Sequence, residues 1–401
     1  MDGLAGAGEQ ALRAFRGRFP GVQEQTYFDV AARGLLSLDA RAAIDGYLDQ
    51  RMYRGGDKSA MFETVERARA AFARLIGADA DEVAFVKNIS DGINAFATGL
   101  DWRAGENVVL CAALEHPANI LPWHNLARTR GVLMKDVLPD PRGAMPVERM
   151  IDAIDEKTRA MAVSSVSFSP GFRTALKPLG AACRGRGVRL IVDAAQSAGI
   201  LATDVAAEGV DVLLASTQKG LLGLYGMGFM YVRREIADGF TPIYLSRLGV
   251  ALESEHEAAS GGFQNFRYAD GARRFDVGNY NYLAAAAAER AIGDLLALGP
   301  NLVEAHVTGL AARLRDGLAQ LGAPVFRGRS PEEEAHIVAI GEDLADEHDQ
   351  TNSQEMVLLH AFLIENRVVH SIRRGVLRLS LHAYNDASDV DRVLDLVRRQ
   401  R

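Results

Sequence analysis

Short apolar runs alternate with helix-length periodic segments along most of the chain. The runs Val83-Ala84-Phe85-Val86-Lys87, Asn107-Val108-Val109-Leu110-Cys111, Val188-Arg189-Leu190-Ile191-Val192, Val210-Asp211-Val212-Leu213-Leu214-Ala215 and Phe229-Met230-Tyr231-Val232, with a longer one from Arg159 to Phe168, are mostly apolar rather than strictly alternating. That is the pattern of strands buried on both faces of a parallel sheet. Periodic segments at 9–18, 38–52, 61–76 and up to Leu100 predict helices. Beyond a polar, glycine-containing stretch at 249–272, long enough to predict a functional loop, the pattern changes. A long helix from about Asn301 to Leu321 precedes strand-like His336–Ile340, a helix at 353–365, paired strands near 367–372 and 376–382, and a last helix at 386–399. The chain therefore predicts an α/β fold: a mostly parallel central sheet with helices on both faces, at 20–285, plus a smaller α+β C-terminal domain, at 286–401 with 1–19.

Composition narrows the partners. With 401 residues, 48% of them hydrophobic, the chain can bury more than one core. A net charge of −7 and a pI near 5.8 argue against nucleic acid, which needs a basic stripe. Arg392, Arg398, Arg399 and Arg401 read as a solvated helix end that favours the dipole. The only cysteines, Cys111 and Cys183, give neither a disulfide framework nor zinc-ligand spacing, so no metal is expected. The first 25 residues mix Asp2, Glu9, Arg13, Arg16 and Arg18 with short apolar stretches, and no run is long enough to span a membrane. A cytoplasmic protein is the default expectation.

The chemistry gathers between Gly187 and Val232. Asp193 closes one apolar run; the next delivers Ser216-Thr217-Gln218-Lys219-Gly220. Ligands of open parallel sheets sit beyond the carboxyl ends of the strands, and both residues fall there. A lysine that forms a Schiff base and a carboxylate that keeps a pyridine nitrogen protonated are what a pyridoxal phosphate site requires. Alone, a lysine after a strand is more often a surface residue.

On these residues the sequence resembles the class V aminotransferase family of fold type I pyridoxal phosphate enzymes, which includes cysteine desulfurases, isopenicillin N epimerase-like proteins and kynureninases. The resemblance runs from Tyr27 to the last helix in six segments. It implies that Lys219 carries the cofactor, that Asp193 faces the ring nitrogen, and that His116, in Leu114-Glu115-His116-Pro117-Ala118-Asn119, stacks on the ring. It places the phosphate loop at Asn88-Ile89-Ser90-Asp91-Gly92, where Ser90 or Asp91 opens a helix whose free amides suit an anion; an ordinary helix cap is the plainer reading. Ser216 matches a phosphate-binding hydroxyl. Gln218 replaces a common histidine, and can donate a hydrogen bond but cannot titrate.

Further matches concern the substrate. Phe168 stands where cysteine desulfurases present an asparagine to the phenolic oxygen, which leaves Gln196 for that oxygen and turns Phe168 or Arg173 toward the substrate. Arg378 matches the arginine that grips the substrate carboxylate. Arg33, in Tyr27-Phe28-Asp29-Val30-Ala31-Ala32-Arg33-Gly34, is placed to approach a substrate group, although a turn into the next helix explains it equally. Asn279 matches a residue that reaches the partner's phosphate, which implies a homodimer with shared sites; a helix-entry loop is the alternative.

The resemblance implies an enzyme acting at the α-carbon of an amino acid, with Lys219 as base. Cysteine desulfurases need a nucleophilic cysteine on a mobile loop in the C-terminal third, and neither cysteine lies there. The expected reaction is β-elimination or replacement, such as carbon–sulfur cleavage; transamination is the alternative, then epimerisation. A cofactor-binding regulatory protein without turnover is a different class, opposed by the retained base, ring partner and carboxylate anchor.

Overall fold

The structure, a computed structural model, describes residues 2–251, 266–345 and 349–400; most of the 249–272 stretch lies outside them. Its centre is a seven-stranded sheet of β1 (Val83–Val86), β2 (Asn107–Leu110), β3 (Leu133–Asp136), β4 (Thr158–Ser164), β5 (Arg189–Asp193), β6 (Val212–Ser216) and β7 (Gly228–Val232), in the order β1-β7-β6-β5-β4-β2-β3. Strands β2 to β6 are mutually parallel; β7 is antiparallel to both β6 and β1. One strand of the seven thus runs against the rest. Its apolar run and the turn glycines before it are legible in sequence, but an apolar run carries no direction.

Alternation along the strands divides the core into two. Val83, Phe85, Val109, Met161, Leu190, Val192 and Leu213 face one cluster, which the helices Lys58–Leu75, Leu176–Gly185 and Tyr282–Leu298 cover. Their neighbours Ala84, Val86, Val108, Ala162, Ile191, Val212 and Leu214 face the other, covered by Ile89–Gly99 and Leu121–Arg130. Successive side chains of a strand point to opposite faces, so a run apolar throughout needs helices on both sides.

A third cluster joins the two ends of the chain. Phe15, Phe19, Tyr27, Phe28 and Val30 pack with the long helix Pro300–Gln320, the last helix Ala387–Gln400 and a three-stranded antiparallel sheet. That sheet is β8 (Ile337–Ile340), β9 (Ser371–Arg373) and β10 (Val376–Ser380), with β10 central. The segment after Tyr27 is thereby held against the smaller sheet: Asp29 bridges to Ser380, and Ser380 N–H donates to the Phe28 carbonyl at 2.8 Å. Helix Tyr282–Leu298 spans two clusters, giving Ala284, Ala285 and Ala288 to the large sheet and Ala291 and Leu295 to the third.

The turn after Phe275 is pinned by a buried ion pair. Arg69 Nη2 donates to Asp276 Oδ2 at 2.8 Å, Nη1 bonds the Val83 carbonyl, and the guanidinium lies 4.6 Å from the Phe85 ring centre. Asp276 also accepts from Phe85 N–H and Tyr280 O–H, both at 2.8 Å. Removing one partner of a buried pair leaves the other charge uncompensated. Arg69→Met is expected to lower unfolding stability by about 3–5 kcal/mol, measured by urea denaturation of the apoprotein.

Candidate active site

Five strands end at one pocket, and each supplies side chains from its carboxyl end. Asn88, Ile89 and Ser90 follow β1; His116 follows β2; Ser164, Val166 and Phe168 end and follow β4; Asp193, Ala195 and Gln196 end and follow β5; Ser216, Gln218 and Lys219 end and follow β6. Asp193 and Lys219 line this same pocket. The two interact, Asp193 favouring the ammonium form of Lys219.

Lys219 is half-buried, and desolvation of its amine pulls its pKa from 10.5 down to about 8, against the attraction of Asp193 and with help from Arg378 and Arg373. An amine lowered this far has a much larger neutral fraction near physiological pH than an ordinary lysine, which makes it a more competent nucleophile and base. Asp193 Oδ1 accepts from Ala195 N–H at 2.8 Å, and burial raises its pKa.

The lysine loop is clamped through its carbonyls. Gly34 N–H donates to the Gln218 carbonyl at 2.8 Å, Leu222 N–H to that of Lys219 at 3.0 Å, and His382 Nε2 bonds that of Gly220 at 2.9 Å. His382 Nδ1 accepts from Ala383 N–H at 2.7 Å, which fixes the tautomer with the proton on Nε2. The loop leaves no room for side chains around it. A Cβ on Gly34 would lie 2.5 Å from the Lys219 carbonyl oxygen, and one on Gly199, at φ +83°, 2.4 Å from that of Gly220.

On the ring side, His116 Nδ1 accepts from Ala118 N–H at 3.2 Å, and the Phe168 ring stands nearly perpendicular to the imidazole with centroids 5.8 Å apart. Glu115, adjacent to His116, is wholly buried; it accepts from Ser164 N–H at 2.7 Å, from the Ser164 hydroxyl at 2.5 Å and from Asn119 at 2.8 Å. Burial pushes its carboxyl up to about 7.

Three observations fit pyridoxal phosphate. The Ser216 hydroxyl and Gln196 Oε1 are buried without a hydrogen-bond partner among the described residues. The helix Ile89–Gly99 directs its first turn at the pocket, where backbone N–H groups lack intrahelical partners. Lys219 and the Asp193 carboxylate meet at the same pocket. Asn88 rather than Ser90 caps that helix, accepting from Asp91 N–H at 2.9 Å, so Ser90 lies within the first turn and lines the pocket.

Other expected residues lie elsewhere. Asp91 turns away from the pocket: its carboxylate accepts from Lys87 N–H at 2.9 Å and lines a neighbouring cavity of about 540 Å³. An anion there is better matched by that amide than by a phosphate. Asn279 lines the same neighbouring cavity, not the pocket of its own chain. Arg173 does not line the pocket either; Nη1 pairs with Glu304 Oε1 at 2.6 Å. Gln196 Nε2 donates to the Ala31 carbonyl at 3.2 Å, which brings the N-terminal segment to the pocket wall. Arg33 is exposed, one residue before the Gly34 contact with the lysine loop. Arg378 is buried behind Phe168, donating from Nη1 to its carbonyl at 2.9 Å. Residues that sequence reasoning did not single out are Glu115, Ser164, Asp29 and His382; Glu115 and Asp29 sit inside segments that carried the resemblance.

A family model for class-V aminotransferases matches residues 27–393. The chain belongs to that family. It is 30% identical over 387 residues to the uncharacterized aminotransferase YcbU of Bacillus subtilis, covering 96% of this chain and 97% of the relative. It is 27% identical to a probable cysteine desulfurase of Pyrococcus abyssi, covering 94% of each. Among solved structures, an apo cysteine desulfurase from Thermococcus onnurineus aligns with a TM-score of 0.82 at 25% identity, over 96% of each chain. A C-DES variant with glycine covalently linked to its pyridoxal phosphate shares the fold, with a TM-score of 0.84 at 22% identity, over 96% of this chain and 98% of that one. This class-V chain is a fold type I enzyme with pyridoxal phosphate as cofactor.

The depressed lysine sets a pH dependence. Neutral amine predominates above the folded pKa, so the rate at which apoprotein takes up pyridoxal phosphate, followed by visible absorbance, is expected to rise through about pH 8 rather than 10.5. Arg378→Gln removes a cation that disfavours the ammonium and should move that midpoint upward.

Proposed function

We propose that this enzyme cleaves a β-substituent from an amino acid, as in carbon–sulfur bond cleavage, without a persulfide-forming cysteine. The observation that carries the reading is the state of the two thiols. Cys111 and Cys183 are both buried, and burial pushes each thiol up to about 12. Thiolate, not thiol, is the sulfur nucleophile, so neither is suited to accept sulfur in a desulfurase cycle.

Bound pyridoxal phosphate supplies an electron sink for negative charge at the substrate α-carbon. Ser216, Ser90, Gln218 and the amides of the first helical turn hold the phosphate, the partner's copy of Asn279 joining them. Asp193 would hold a proton on the ring nitrogen, His116, with Phe168 against its edge, would cover a ring face, and Gln196 would serve the phenolic oxygen. Arg378 fixes the substrate carboxylate, with Arg33 at the rim. Lys219 Nζ takes the α-proton; the β-substituent leaves with its bonding pair, and the enamine released adds water to give a 2-oxo acid and ammonium.

A homodimer with shared sites completes the reading. Asn279 lies in an open cavity beside exposed Ile243, Tyr244 and Val277, apolar surface that a second copy would cover. Among the described residues no helix is long and apolar enough to cross a membrane, and two unpaired cysteines suit the cytoplasm.

The test is a panel of amino acids bearing β-leaving groups, with 2-oxo acid and ammonium assayed in the absence of any added 2-oxo acid. Equal release of the two products is expected, falling at least ~100-fold in Lys219→Ala. Product formed only when a second 2-oxo acid is supplied would establish transamination instead.

A further inference from the structure

Arg378 and Asp29 form an incomplete ion pair. Arg378 is 2% exposed. Its Nε donates to Ser371 Oγ at 3.2 Å and its Nη1 to the Phe168 carbonyl at 2.9 Å, two of the five N–H donors of a guanidinium. Asp29 Oδ1 lies 3.8 Å from Nη2, an ion-pair distance but beyond hydrogen-bond reach. Asp29 is itself only 8% exposed, and its Oδ1 has no hydrogen-bond partner among the described residues. The Ser371 hydroxyl accepts from Arg378 and also acts on the Asp29 carboxylate, favouring its charged form.

The gap is built into the backbone. Asp29 bridges to Ser380 on β10, the strand that carries Arg378, and Ala31 N–H donates to Ser380 Oγ at 2.9 Å. Both backbones are thus fixed on β10, with the side chains held 3.8 Å apart. Arg378 therefore keeps unused donors beside a carboxylate that does not take them.

The geometry points to Asp29 as a resident counter-ion that competes with the substrate carboxylate for Arg378 and keeps the substrate grip reversible. An arriving carboxylate takes the free N–H groups at close range and is repelled by Asp29 across the same guanidinium. When product leaves, the buried cation retains a counter-charge instead of standing bare. Other charged or titratable groups face Asp29: Arg373 on β9, Lys219 in its loop, Tyr384 beyond β10, and Tyr27 and Arg33 on its own segment. Burial raises the Asp29 pKa above the ordinary carboxylate value, and the cations, Arg378 first, act against it and favour the carboxylate form that competition requires. The inference rests on the proposal that Arg378 grips the substrate carboxylate.

The test uses holoenzyme at pH 8 and propionate, a carboxylate with no amino group, its affinity read by ligand-observed NMR. Asp29→Asn removes the competing charge at nearly constant shape and is expected to bind propionate about tenfold more tightly, with the visible absorbance of the bound cofactor unchanged. Neutral propionamide should not distinguish the two proteins, and Arg378→Gln should lose propionate. Unchanged or weaker propionate binding in Asp29→Asn, while Arg378→Gln still loses it, would overturn the competition and leave the grip standing. Propionate binding that survives Arg378→Gln would overturn the reading of Arg378 itself. If Asp29→Asn does not fold, Asp29→Ser carries the same expectation.

Discussion

An amine must be buried beside a carboxylate without either being neutralised into inertness, and the rest of this structure serves that constraint. Lys219 and Asp193 leave the carboxyl ends of adjacent parallel strands, a place where backbone ends and side chains converge away from bulk water. Burial drives the lysine toward its free base; the carboxylate limits how far. Two arginines on the smaller sheet's hairpin push in the same direction as burial. The smaller domain thus contributes to the chemistry through charge at a distance as well as through contact.

Electrostatics is layered in depth around the site. Glu115 lies behind the pocket, satisfied by three donors yet raised by burial and by Asp193. Asp193 and Lys219 line the pocket itself, and Arg378 and Arg373 act on the lysine from the smaller sheet. Glu115 and Asp193 are held by fixed donors, which is how a low-dielectric interior tolerates buried carboxyl groups.

Much of this was legible in the sequence because it depends on where strands end. The runs ending in Val86, Asp193 and Ser216 located the pocket, since a strand's carboxyl end is a position and not a matter of side-chain choice. What was not legible depends on which of several partners a side chain takes once the fold is formed. Arg173 finds Glu304 on a helix 131 residues away, and Asp91 finds the amide of Lys87. The cap of the phosphate-side helix is Asn88, two residues earlier than Ser90, because the strand ends there. The antiparallel course of β7 is set by pairing, and the alanine-rich helix Tyr282–Leu298, apolar on more than one side, fits where two cores meet. Asp29 was read as part of a segment and acquires its meaning only from Arg378, on a strand near the other end of the chain.

The clamps on the lysine loop come from Gly34, Gly199 and His382, so the loop is closed by contacts spanning nearly the whole chain. Loop-closure entropy rises with the length of chain enclosed, and non-local contacts form late. The geometry of Lys219 is therefore a property of the completed molecule rather than of its neighbourhood. The same dependence makes cofactor capture a checkpoint in maturation: a chain whose N-terminal segment or last strand has not docked has the right residues in sequence but no reactive centre.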